Sequence, residues 1–219
     1  MQEAIWAGRR SGFAKDGVMV LKNIFLVLGF ISFSAHPLRA DILPLSTLSD
    51  YLNDLRTVEA EFTQINMDGS LATGAIYIKR PGRIRFEYDP PNDALVLAAG
   101  GELAIFDPKG DAGPETYPLS KTPLGLILAD DLDLARERMV TAHRFDGTST
   151  ILGVQDPEHP ERGKIALIFT GPEPQLRQWV IEDQNGDQTV VVLNDFVTGN
   201  ELGDSLFNIL LNTERRKNR

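Results

Sequence analysis

The chain has 219 residues, 42% hydrophobic and 24% charged, with no cysteine and a formal charge of −9. That balance is enough for one domain with a real core and excludes a disordered chain. It also excludes a disulfide-stapled scaffold, and the acidic surplus excludes a nucleic-acid binder, whose phosphate contacts need a basic surface.

Residues 24–33 read I-F-L-V-L-G-F-I-S-F, with Lys22 before them and S-A-H-P-L-R-A after them. A basic start, a short apolar run and a small residue at the cut describe a secretory signal peptide over residues 19–40. A buried core helix or a membrane anchor is the alternative, although the run is short for a bilayer span. Cleavage is expected after Ala40, with Ala35 as the other candidate. Residues 1–18 carry Arg9, Arg10 and Lys15 without pattern and read as an over-extended start ahead of Met19. The remaining residues 41–219 form one expected domain, with 17 basic against 29 acidic residues, a balance of −12. Such a chain repels itself and is expected to be a monomer that does not adhere to anionic membranes. Export without disulfides points to the periplasm, with stability supplied by the core.

Leu45, Leu48, Leu52 and Leu55 recur at helical spacing, which predicts an amphipathic helix over residues 46–55 capped by Ser46. The period then changes. Val58, Ala60, Phe62 and Gln64 alternate with Glu59, Glu61 and Thr63, the pattern of a strand with one wet face. Asp68-Gly69, Gly100-Gly101, Asp146-Gly147 and Asn185-Gly186 punctuate the chain as hairpin turns. Strands are expected at residues 94–99, 103–106, 139–145, 149–154, 165–170, 178–182 and 189–193. The whole is a mainly β antiparallel meander of about ten strands with short helices. A sheet of that size is expected to curl, and its concave face must be filled. The first helix and the segment Thr122–Leu134 (T-P-L-G-L-I-L-A-D-D-L-D-L) are the fillers. Thr122 can cap, Pro123 suits a first helical position, and the acidic Asp130, Asp131 and Asp133 predict a break near Asp130. Residues 112–118 and 156–163 read as loops.

Chemistry has little foothold. The domain's histidines are His143 and His159; there is no HxH or HExxH spacing, no thiol and no G-x-S-x-G elbow, so no cofactor and no metal is expected. His143 reads as a structural histidine. Asp183-Gln184-Asn185-Gly186-Asp187 faintly resembles a calcium loop but lacks its spacing and distal Glu, and a hairpin turn explains it better. Glu59 with Glu61, or Asp130 with Asp131, could form an acidic pair, so an exported hydrolase is carried as a rival reading.

Residues 74–88 read G-A-I-Y-I-K-R-P-G-R-I-R-F-E-Y. Ile76 and Ile78 share a face of one strand. Ile84, Phe86 and Tyr88 share a face of the next, with Arg83, Arg85 and Glu87 opposite, and Arg80-Pro81-Gly82 turns between them. On pattern alone this is a hairpin with solvated arginines or one with a function at its tip. The run G-x-I-x-I-K-R-P-x-R-I-R-F-x-Y, with Phe62-Thr63-Gln64 before it and T-P-L-x-L-I-L after it, resembles the LolA family over roughly residues 45–208.

That resemblance implies an unclosed antiparallel β barrel covered by a helical lid. It implies a non-enzymatic periplasmic carrier of lipoproteins, which holds their acyl chains in an apolar cavity. Its partners would be an inner-membrane ABC transporter, from which cargo is taken, and an outer-membrane receptor, to which cargo is passed. The lid latch falls on Arg80. The cavity falls on Phe62, Ile76, Ile78, Ile84 and Phe86, with Leu124, Leu126 and Ile127 from the lid. A related acyl-lipid or glycolipid binder, or an envelope-stress sensor of the same fold, stays open because a fold does not fix cargo. Two departures stand out. Gly125 replaces a larger lid residue, so looser lid packing is expected. The chain ends N-T-E-R-R-K-N-R, expected to be a disordered basic tail.

Overall fold

The computed structural model describes residues 41–107, 113–135 and 138–218. The expected signal peptide over residues 19–40 and the extension over residues 1–18 lie outside them. Helix α1 (Leu45–Asp54) opens the described chain and buries Leu48 and Leu52. It starts one residue earlier than predicted, and Pro44 rather than Ser46 takes the N-cap. The carbonyl of Pro44 accepts from Leu48 N at 3.0 Å, so no side-chain cap is involved.

Eleven antiparallel strands follow: β1 (Thr57–Ile65), β2 (Leu71–Lys79), β3 (Arg83–Tyr88), β4 (Leu95–Ala99), β5 (Glu102–Phe106), β6 (Glu115–Pro118), β7 (Val140–Phe145), β8 (Ser149–Gln155), β9 (Lys164–Thr170), β10 (Gln175–Glu182) and β11 (Gln188–Thr198). They form one sheet in the order β6-β5-β4-β3-β2-β1-β11-β10-β9-β8-β7. Two meanders, β1 to β6 and β7 to β11, are therefore joined at the centre by β1 against β11, and β6 and β7 remain as outer strands. The sheet curls without closing. A bulge helps: β11 carries an extra residue opposite Glu59 and Glu61, and Asp195 there adopts φ 46°. Such an insertion bends a strand and sharpens its twist.

Strand β6 lies where a loop was expected. It is short and exposed, a common way of blunting an outer strand. Residues 119–139 connect β6 to β7, so a single segment spans from one outer strand to the other. It holds a 3-10 turn at Leu119–Lys121 and helix α2 (Leu124–Ile127).

The convex face is not wholly wet. Leu95 and Leu97 of β4 join Ala104 and Phe106 of β5 in a second apolar cluster closed by Leu202 and Phe207. The C-terminal residues fold over it as a 3-10 turn (Asp204–Phe207) and helix α3 (Ile209–Lys217). The expected disordered tail is thus largely helical, capped by Asn208, whose side chain accepts from Leu211 N at 2.8 Å. Arg85 is corrected with it. Expected on a solvated face, it is 8% exposed. Its Nη1 donates to Leu206 O at 3.0 Å and Asn212 Oδ1 at 3.1 Å, while its other donors meet Glu87. The docked tail buries that arginine.

Candidate functional site

The concave face is built by alternation. Val58, Ala60 and Phe62 of β1, Ile76 and Ile78 of β2, and Ile84 and Phe86 of β3 all point inward and are buried. The other meander answers with Leu152, Leu167, Phe169, Trp179 and Leu193. Four aromatic rings run across this face edge to face: Tyr88 to Phe62 at 5.1 Å, Phe62 to Phe86 at 5.4 Å and Phe86 to Trp179 at 6.3 Å. Gly74 makes room for the row. A Cβ there would lie 2.9 Å from the Phe62 ring and 2.1 Å from the Glu87 carbonyl oxygen. At the end of the row the Tyr88 hydroxyl donates to Gln64 Oε1 at 2.6 Å, and burial pushes its pKa up to about 12.

Helix α1 and the segment 119–135 fill the concavity. From the predicted set, Leu124 and Ile127 join Phe62, Ile76, Ile78, Ile84 and Phe86 in one apolar core, together with Leu48, Leu52, Leu128, Leu132 and Leu134. Leu126 packs against the edge of that core. It is half-buried and borders an outer groove of about 500 Å³ with Pro81, Leu119 and Ala129. Between α1, α2 and the sheet there remains a space of about 20 Å³ bordered by Leu52, Ile78, Arg80, Ile127, Leu176 and Trp179. Among the described residues, the side chains expected to line a cavity pack against one another as one core, which keeps their apolar surface from water.

Polar contacts, mostly to backbone, hold this cover down. Arg80 sits at the β2–β3 turn, 6% exposed. Its Nε donates to Ala129 O at 3.1 Å, its Nη2 also donates to Ala129 O, and Nη2 lies 3.5 Å from Asn53 Oδ1. Burial first, and then nearby Arg56, pull the Arg80 pKa below its ordinary value, opposed by Asp130 and Asp131. In the same turn Gly82 N donates to Leu128 O at 2.8 Å. From α1, the Asn53 amide grips Leu132 twice, donating to its carbonyl at 3.0 Å and accepting from its N–H at 3.0 Å. Ser49 Oγ accepts from Leu134 N at 3.0 Å. Arg56 pairs with Asp130 at 2.9 Å. On the far flank Arg162 Nη1 donates to Ser120 O at 3.2 Å.

These contacts explain why α2 ends at Ile127, before the predicted Asp130. The carbonyls of Leu128, Ala129 and Leu132 find partners outside the helix, and acidic residues at a helix C-terminus oppose its dipole. Thr122 does not cap α2; its hydroxyl donates to Leu119 O at 2.8 Å. Gly125 is corrected as well. A Cβ there would lie 2.7 Å from Leu119 O, so glycine lets the cover pack more closely.

Asn53, Ser49, Arg162 and Trp179 were not singled out by sequence reasoning. Asn53 reads from its spacing, like Asp50 and Asp54, only as part of the helix face opposite the leucines. The rival acidic pair lies elsewhere: Glu61 is exposed, and Glu59 accepts from Asn200 Nδ2 at 2.7 Å. His143 Nε2 lies 2.9 Å from Leu43 O, a structural contact. Asp183 Oδ1 accepts from Asn185 N and Asp187 N at 2.7 and 3.0 Å, which makes its loop a hairpin turn. No group of three or more His, Cys, Asp or Glu among the described residues is arranged to hold a metal.

The family described as outer membrane lipoprotein carrier protein LolA matches residues 53–210. The chain is 32% identical over 178 residues to the outer-membrane lipoprotein carrier protein of Methylococcus capsulatus, covering 77% of this chain and 84% of that one. It is 30% identical over 168 residues to the protein of the same name from Azotobacter vinelandii, covering 72% and 77%. To that of Coxiella burnetii it is 28% identical over 202 residues, covering 85% and 92%.

Proposed function

We propose a function from one premise: the chain belongs to the LolA family of outer membrane lipoprotein carrier proteins. It is a lipoprotein carrier, working by binding rather than by turnover. Residues 19–40 direct its export, residues 41–219 are the single carrier domain, and it acts in the periplasm as a monomer. Cargo is received from an inner-membrane ABC transporter and delivered to an outer-membrane receptor.

The observation that carries this reading is the connection that leaves β6, described over residues 119–135. It runs between the two outer strands of an unclosed sheet and covers an apolar interior. It is held mainly by hydrogen bonds to its backbone. Acyl chains release about 0.8 kcal/mol per methylene buried. Each neutral hydrogen bond at the cover is worth about 0.5–1.5 kcal/mol net, and those of Arg80 somewhat more. A long acyl chain can therefore displace the cover. When the chain leaves, the apolar walls close again instead of facing water. Arg80 is the latch of this lid. Phe62, Ile76, Ile78, Ile84 and Phe86 form the wall that acyl chains touch once Leu124 and Ile127 swing away, and Leu126 marks the outer margin.

Depletion of the protein in its native cell, with outer-membrane lipoproteins followed by membrane fractionation, tests the reading. Lipoproteins accumulating at the inner membrane are the expected result. Unchanged sorting would refute it.

A further inference from the structure

Among the described residues, two buried side-chain donors meet no protein acceptor: Arg80 Nη1 and Trp179 Nε1. One belongs to the turn after β2 and the other to β10, yet both residues border the same small space beneath the lid. Arg80 is 6% exposed and Trp179 is 0% exposed. The other walls there are aliphatic, among them Leu52, Ile78, Ile127 and Leu176. A buried donor left unpaired carries its full desolvation cost, so two such residues bordering one apolar space point to an acceptor that comes and goes.

The chemistry of that acceptor is constrained. Indole N–H and guanidinium donate and do not accept. The matching atom is therefore an oxygen with free lone pairs. Its carrier must be apolar, because everything else lining the space is apolar. A carboxylate or phosphate is disfavoured: the one cation present already serves the Ala129 carbonyl, and Asp130 and Asp131 act on that same guanidinium. An uncharged carbonyl at the head of an alkyl chain satisfies every condition, and its oxygen is about the size of the water that such a space admits.

We infer that Arg80 Nη1 and Trp179 Nε1 form a carbonyl subsite, which takes the ester or amide carbonyl at the head of a bound acyl chain. This rests on the carrier reading above and sharpens it. The guanidinium that holds the lid through Nε and Nη2 keeps its third nitrogen for cargo. One side chain thereby senses both the closed lid and the bound acyl group.

The test compares two lipids of equal chain length, dipalmitoylglycerol and dihexadecylglycerol. The first carries ester carbonyls and the second carries ethers. Each is presented to the purified protein in the same neutral detergent micelles, and binding is read by displacement of a fluorescent alkyl dye. The diester is expected to bind about three- to tenfold tighter. In Trp179→Phe, which keeps an aromatic ring without the N–H, that ratio falls toward one. Resonance Raman of the indole N–H reports a new hydrogen bond with the diester and none with the diether. Equal affinity of the two lipids for the unmodified protein overturns the subsite, as does a ratio unchanged in Trp179→Phe. Binding of neither lipid is a separate result that contradicts the carrier reading itself.

Discussion

Arg80 Nη2 lies 3.5 Å from the side-chain oxygen of Asn53, and that same oxygen accepts from Leu132 N at 3.0 Å. A residue of the β2–β3 turn and a residue of α1 thus meet at one atom, and each also holds the lid backbone separately. The lid is anchored to two elements that are themselves in contact, so its release from one bears on its release from the other.

Arg80→Leu removes charge-assisted bonds worth about 1.5–3 kcal/mol while leaving an apolar side chain in an apolar space. Opening of the lid should rise about ten- to a hundredfold, with a smaller change in global stability. Hydrogen exchange at the Leu132, Leu134 and Gly82 amides reads this directly. Cargo transfer to the receptor should fail with it.

Asn53→Ala leaves the Leu132 carbonyl and N–H without their shared partner. A cost of about 1–3 kcal/mol is expected, again seen first at the lid amides. Because the two residues share an atom, the double variant with Arg80→Leu should depart from additivity by about 0.5 kcal/mol or more. Strict additivity in a thermal or denaturant series would show that the two anchors act independently.

Gly125→Ala places a Cβ 2.7 Å from the Leu119 carbonyl oxygen. The lid must shift, at a cost of about 1–3 kcal/mol. A lower melting temperature and stronger binding of an environment-sensitive dye by the empty protein are the expected signs. A melting temperature that stays the same or rises would mean the 3-10 turn yields freely.

The docked tail should respond to acid. Asp204 accepts from Lys79 Nζ at 2.6 Å and pairs with Arg83 at 2.8 Å, and chiefly the Lys79 contact holds its carboxyl below the usual carboxylate range. A carboxyl that is more acidic in the folded state stabilises docking above its unfolded pKa of about 3.9 and loses that contribution as pH falls through the folded value. Exchange protection at the Leu206 and Leu211 amides should therefore hold near neutral pH and weaken in acid. Asp204→Asn should lower protection at neutral pH and reduce this acid sensitivity.

Much of the architecture was legible in the chain. Alternation in Val58–Gln64 and in Ile84–Tyr88 marks strands with an inner face, and glycine pairs such as Gly100-Gly101 mark the turns because their backbones adopt positive φ. Lid residues Leu124 and Ile127 were legible from helical spacing. What escaped depends on contacts between distant segments. Nothing local tells that Asn53 will grip Leu132, or that Trp179 will border the same space as Arg80. The C-terminal helix was misread because its sequence is polar. The evidence for it lay in β4 and β5, where Leu95, Leu97, Ala104 and Phe106 crowd a second face that a one-sided sheet would leave wet. Arg85 was misread for the same reason: in its strand it alternates like a surface residue, and only the docked tail buries it.

The central claim is that an acyl chain displaces the lid and takes its place against the β1–β3 wall. The most direct measurement is hydrogen exchange of the purified protein, mixed with one lipoprotein in its acylated form and, separately, with the same polypeptide lacking acyl groups. The acylated form should yield a soluble complex in which the Leu132 and Leu134 amides lose protection while Phe62, Ile76 and Phe86 keep theirs. The unacylated form should leave every amide as in the free protein. An acylated complex with the lid amides still protected, or equal binding of the unacylated polypeptide, would contradict the account.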